Sequence, residues 1–250
     1  MEIKGELKEY IENKKRINIF TIGKLRKLVE IFVENEVRSL GICKEEWNVK
    51  CLVRNFHGYD IDTFGRIINT ERDTIILINE RLVDAIRILP SEIKLPNSIE
   101  EAYRINLFLT IYHEIEHLYQ AYTLKNGIII NEKLYKDEII QDYFKKRYES
   151  YYGVNYNVFT SEVLANLSAV NKTLEFFRIN NIKLTDVELG ILKLKRDINK
   201  KYLEDNTRIN PVDKKRYNID ELYQMILENK IEEKQSLLSK LFQSKKKNKL

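Results

Sequence analysis

From Thr21 to Leu40 the chain reads TIGKLRKLVEIFVENEVRSL, and Ile22, Leu25, Leu28, Val29, Phe32 and Val33 recur at the spacing of one helix face. That pattern predicts an amphipathic helix with its apolar side in a core. Between Val49 and Asn79 the texture changes: VKCLV, FGRIIN and TIILIN are short, β-branched and apolar, parted by HGYD and TERD, which predicts three strands joined by turns. RLVDAIRIL then predicts a short helix that Pro90 and Pro96 end. The strongest helical signals lie from Ser98 to Asn126. Ser98 and Glu101 fit a capping box, Glu100 and Glu101 suit the positive helix start, and Asn126-Gly127 fits a left-handed exit. Two further helices are expected over about Glu132–Glu149 and Phe159–Ile179, with the aromatic stretch YYGVNYN between them. Helical segments from Asp186 to Phe242 follow, broken near Asn210-Pro211. The expected class is α+β, mainly helical, with a small N-terminal three-stranded sheet.

Composition sharpens this picture. Eight glycines and three prolines against 32% charged residues suit long helices and exclude a sandwich of many short strands. A chain of 250 residues, 43% of them hydrophobic, can bury one sizeable core. The expected organisation is a core domain over 1–185, a helical extension over 186–242 and a basic tail over 243–250. INLFL and TIILI are too short to span a bilayer, and MEIKGELKEYIENKK has no apolar stretch of the signal-peptide kind, so a cytoplasmic protein without a membrane partner is expected. Cys43 and Cys51 offer neither a disulfide framework nor a CxxC metal pair. Residues 229–250 carry seven lysines and two glutamates, the whole of the +5 net charge. Such a tail can meet nucleic acid or another polyanion, yet no helix-turn-helix, zinc-finger or RNA-binding aromatic motif accompanies it, and a solvated tail is the simpler expectation.

The chemistry concentrates in IYHEIEHLYQ, Ile111 to Gln120. His113 and His117, four apart, stand one above the other on a helix, where two imidazoles can grip one metal ion. Their face continues through Ala102, Asn106, Leu109, Thr110, Gln120 and Leu124, while Phe108, Ile111, Ile115, Leu118 and Tyr122 form a core stripe opposite. HExxH on a helix has a specific mechanical meaning: two zinc ligands, with the intervening Glu114 placed as general base toward a zinc-bound water. A helix that merely happens to carry two histidines is the bland alternative. A third ligand is needed, and His57, the remaining histidine, precedes the motif on a predicted turn. The carboxylates Glu138, Glu149, Glu162 and Glu175 are therefore the candidates. Glu162 is favoured because FTSEVLANLSAV places Ala165 and Ala169 on its helical face, leaving room for two helices to approach closely. Asn166, one turn on, is a candidate to accept the second ring N–H of a ligand histidine. His57, Tyr151, Tyr152 and Tyr156 are candidate oxyanion donors.

HEIEH followed by SEVLAN resembles the gluzincin branch of zinc metallopeptidases, and ExxAN is similar to the ImmA/IrrE-like peptidases, intracellular bacterial proteins that cleave helix-turn-helix repressors. TIILIN resembles the strand those proteins place before the catalytic helix. The resemblance covers roughly residues 74 to 179. Glu116 stands where those peptidases commonly carry glycine, and a whole extra helix separates the histidines from Glu162. By this resemblance the fold is zincin-like, His113, His117 and Glu162 bind Zn2+, and Glu114 is the general base. The partner is a protein or peptide substrate laid along an edge strand carrying Ile76 and Ile78. The implied activity is hydrolysis of peptide bonds in a specific intracellular protein. Two alternatives stay open: a catalytically quiet scaffold acting beside a repressor or toxin partner, and a nucleic-acid-associated protein using its tail.

Overall fold

A computed structural model of the chain describes residues 7–8, 19–41, 48–54, 64–69, 73–80, 97–147 and 159–228, with the side chains of 19–22 and 97–104 left aside. The elements in chain order are α1 (Ile19–Ser39), β1 (Asn48–Arg54), β2 (Gly65–Asn69), β3 (Asp73–Asn79), α2 (Asn97–Lys125), α3 (Glu132–Arg147), α4 (Thr160–Ile179), α5 (Asp186–Glu204), β4 (Thr207–Ile209), β5 (Arg216–Asn218) and α6 (Ile219–Leu227). The class is α+β and mainly helical. The short helix expected over 81–89, the capping-box side chains of Ser98 and Glu101, and the tail fall outside what is described.

Two compact units divide the chain: residues 1–126 with 164–200, and residues 127–163 with 201–250. This differs from the expected boundary near 185. The division falls inside the first turn of α4, which is nevertheless one continuous helix.

In the first unit the periodicities resolve into a sheet covered by helices. β3 is the middle strand, parallel to β1 and antiparallel to β2. Cys51 and Val53 of β1 lie opposite Ile76 and Ile78 of β3, and Ile67 of β2 also meets Ile76. Alternate residues of β3 turn one way, as a pleat requires, and Ile76 and Ile78 are fully buried. Against this face α1 supplies Leu25, Val29, Phe32 and Val33, all buried as their spacing predicted. The core stripe of α2 is buried at Phe108, Ile111, Ile115 and Leu118. Four rings lock the helices together: Phe108 stacks on Phe176 at 4.5 Å, with Phe32 and Phe177 edge-on to Phe108. α2 ends where Gly127 takes φ +69°, the left-handed exit that Asn126-Gly127 predicted. At α5 a box absent from the sequence reading opens the helix: Thr185 N–H donates to Glu188 and Glu188 N–H returns to Thr185 Oγ1.

The second unit has its own core, in which Ile140, Tyr143 and Phe144 of α3 pack with Phe159 and with Ile219, Leu222, Met225 and Ile226 of α6. The break expected at Asn210-Pro211 is a β-hairpin, β4 against β5, closed by Asn210 N–H to Lys215 O and Lys214 N–H to Asn210 O. Strands of three residues are too short to show alternation, which hid them in the sequence.

Candidate metal centre

His113 and His117 lie one turn apart on α2, their ring planes at 87° and their Nε2 atoms 3.0 Å from each other. Nδ1 of His117 is 3.2 Å from Gln120 Oε1. An amide oxygen only accepts, so in this pairing Nδ1 is the donor, and Nε2 is the ring nitrogen turned toward His113. The third donor arrives on the first turn of α4. Ligand atoms of His113, His117 and Glu162 all lie within 4.8 Å of one another, and all three residues are half-buried. A tetrahedral zinc with bonds of about 2.1 Å separates its donors by roughly 3.4 Å, a spacing the set reaches by side-chain movements of the order of an ångström. Two imidazoles and a carboxylate also suit other first-row divalent ions. The group can hold a metal ion; its donors alone do not fix which.

Of the other proposed third ligands, the two that are described, Glu138 and Glu175, are not in this group. Glu175 is exposed and lines a cavity of about 220 Å³ with Glu36, Tyr112 and Phe176. There burial, with the charges of Glu36 and Glu175, pushes the Tyr112 hydroxyl up. Glu138, on α3, is not part of the metal-ligating group. Glu149, His57, Tyr151, Tyr152 and Tyr156 lie outside the described residues. Cys51 is a buried free thiol whose pKa is pushed up by burial and by the nearby Glu30 and Glu34 carboxylates, which leaves it neither ligand nor nucleophile.

Glu114 follows the first histidine, is 8% exposed, and faces β2. At Gly65 a Cβ would sit 2.7 Å from Glu114 Oε1 and 2.7 Å from Thr110 Cγ2, so glycine is what lets this strand pass against the glutamate. The expectation that Ile76 and Ile78 form the substrate edge is corrected: β3 has a strand on each side, and both residues are core. An all-apolar run of this kind is a buried central strand. The sheet's two outer strands differ in turn. On β1, Val53 N–H donates to Glu30 Oε1 at 3.0 Å and Cys51 N–H to Glu34 Oε1 at 3.3 Å, so side chains of α1 cover that edge. Among the described residues β2 is the other edge, and it is the strand beside Glu114.

The contact assigned to Asn166 is made for His117 by Gln120, while Asn166 donates to Asn199 Oδ1 at 3.2 Å. Ala165 and Ala169 are fully buried, as their small size on the face of α4 led one to expect. Near them Ser168 Oγ donates to Glu116 Oε2 at 2.6 Å, tying α4 to the histidine helix. Gly65, Gln120 and the Glu116–Ser168 bond escaped the sequence reading. Two carried usable signals: a glycine inside a strand marks a close backbone approach, and Gln120 lies on the histidine face. No family model, curated protein or solved structure matches this chain, so the functional reading rests on its own residues.

Proposed function

We propose that the protein is a zinc-dependent endopeptidase of the gluzincin kind, similar to ImmA/IrrE-like peptidases and acting on a specific protein in a reducing cytoplasm. The single observation that carries this is the convergence of His113, His117 and Glu162 on one point beside a buried Glu114. Zinc bound there would supply Lewis acidity and lower the pKa of a water toward neutrality. This chain's own part is to orient and to move protons. Gln120 fixes the tautomer of His117, and Glu114 takes the proton of the attacking water and returns it to the leaving amine. β2 binds an extended peptide through main-chain hydrogen bonds, which puts a carbonyl close to Glu114. A free, buried Cys51 suits a reducing compartment, and no helix of the described residues is long and apolar enough to cross a membrane.

The test is zinc per chain by elemental analysis after dialysis against a weak chelator, for wild type, Glu162→Ala and Glu114→Gln. The expected result is about one zinc in wild type and in Glu114→Gln, with clear loss in Glu162→Ala. Incubated with a random peptide library read by mass spectrometry, wild type should cleave and Glu114→Gln should not. Zinc-loaded wild type that cleaves nothing would favour the quiet scaffold, and cleavage by Glu114→Gln would sink the proton-transfer role.

A further inference from the structure

Glu162 is the third residue of α4, on a helical turn whose leading N–H groups have no partner within the helix. Phe159, which precedes the helix, has no side chain able to cap it. The cap comes from elsewhere in the fold: Thr160 N–H donates to Asp137 Oδ2 of α3 at 2.8 Å. A carboxylate at a helix N-terminus is favoured by the helix dipole as well as by the bond itself. This carboxylate is in turn held by Arg208 of β4, Nε to Oδ1 at 2.8 Å and Nη2 to Oδ2 at 2.6 Å, while Nη2 also reaches Thr160 Oγ1 at 3.2 Å. Asp137 is fully buried, Thr160 is 1% exposed and Arg208 4%. Lys133, one turn before Asp137 on α3, donates to the Asp205 carbonyl beside β4 at 2.8 Å. Its own pKa is lowered by burial and by the Arg208 charge, which marks the pocket as desolvated.

A metal ligand must be held to within about half an ångström, and the first turn of a helix is where fraying begins. We propose that the buried Asp137–Arg208 pair is a positioning device for Glu162. It pins the first turn of α4, so that metal binding depends on the hairpin following α5. This inference rests on the metal reading above and adds to it a control point in the C-terminal part of the chain. The β4–β5 hairpin thus serves the site as a brace, through Arg208.

The experiment compares full-length wild type, Asp137→Asn, and the pair Asp137→Asn with Arg208→Gln, which leaves no lone buried charge. Zinc affinity is read by competition with a chromophoric chelator. Hydrogen exchange of the peptide spanning 159–165 is read in metal-free protein. The expected result is binding weakened about ten- to a hundred-fold in the variants, with exchange accelerated in that peptide and unchanged in the middle of α4. In metal-free wild type the same amides should be protected; rapid exchange there would overturn the proposal without any variant. Folded variants that bind zinc within two-fold of wild type would show that the pair only stabilises the fold. Wild type that binds no zinc at all would sink the metal reading instead, and this inference with it.

Discussion

Replacing Gly65 by alanine adds one carbon where the fold leaves no space. The new Cβ would lie 2.7 Å from Glu114 Oε1, 2.7 Å from Thr110 Cγ2 and 2.8 Å from Glu114 Cγ. Ordinary carbon contacts fall at about 3.5–4.0 Å, so roughly 1 Å must be found. Glu114 Oε1 ends a flexible chain and can swing away. Thr110 Cγ2 cannot move as freely, because a β-branched side chain on a helix has few χ1 choices, and Glu114 Cγ clears the new carbon only by a change of χ1 that carries the whole carboxylate with it. The strand or the glutamate is therefore displaced, and overpacking of this kind costs about 1–3 kcal/mol. For a chain of this size that is a fall in Tm of several degrees, about 2–4 °C per kcal/mol. If Glu114 is the general base proposed above, its displacement by about 1 Å should cost on the order of a hundred-fold in turnover. The three ligands are not touched by this change, so zinc per chain should stay at the wild-type value. Thermal melts, elemental analysis and cleavage of a library peptide, run on Gly65→Ala, separate the effects. A variant with wild-type Tm and wild-type turnover would refute the close approach of β2 to Glu114, whereas lost zinc would show that the disturbance reaches the histidines.

Gln120→Leu removes the acceptor at His117 Nδ1 and should weaken zinc binding about ten- to a hundred-fold in chelator competition; unchanged affinity would mean that the ring is oriented by something else. Phe108→Ala empties the centre of the four-ring cluster and should cost about 3–5 kcal/mol by urea unfolding, and a loss below about 1 kcal/mol would deny that cluster its place in the core. Burial works against the Asp205 carboxylate, but bonds from the Thr207 N–H and Oγ outweigh it and hold its pKa below the ordinary 3.8. Its contribution is therefore present above the ordinary value and lost as pH falls through the lowered one, so wild type should lose more stability than Asp205→Asn between about pH 4.5 and 2.5, and parallel curves would contradict the assignment.

Periodic patterns were legible wherever one face of an element is buried. Leu25, Val29, Phe32 and Val33 on α1, and Phe108 to Leu118 on α2, were readable because burial on one side imposes the helix period on the sequence. The strand TIILIN was legible as a strand, but its place in the sheet was not. Period two says which residues share a face and says nothing about who pairs with them, so TIILIN reads equally well as an edge or as the middle strand that it is, between β1 and β2. The β4–β5 hairpin was lost because its strands are three residues long. The histidines were legible from spacing alone. Gln120 and the Asp137–Arg208 pair depend on orientations and on contacts between distant segments, which no local pattern encodes.

The five residues HEIEH do more than mark two ligands, because each step around a helix turns by about 100°. His113 and His117 share one direction, and Gln120 falls beside them, where it meets His117 Nδ1. One step from His113 puts Glu114 on the flank facing β2, where Gly65 makes room for it. Glu116, three steps on, comes round to the other flank and meets Ser168 of α4. Ile115 points away from all of these, into the core with Phe108 and Ile111. Four neighbours, namely a candidate metal site, a strand, a second helix and a core, are thus addressed by one turn and a half of backbone. A glycine at position 116 would pack two helices more closely, but it would give up the bond to Ser168. Here the chain uses a longer side chain to span that gap. The spacing of the motif is therefore a packing requirement as much as a chemical one: shifting either histidine by one residue would turn it about 100° away from its partner and break the pair.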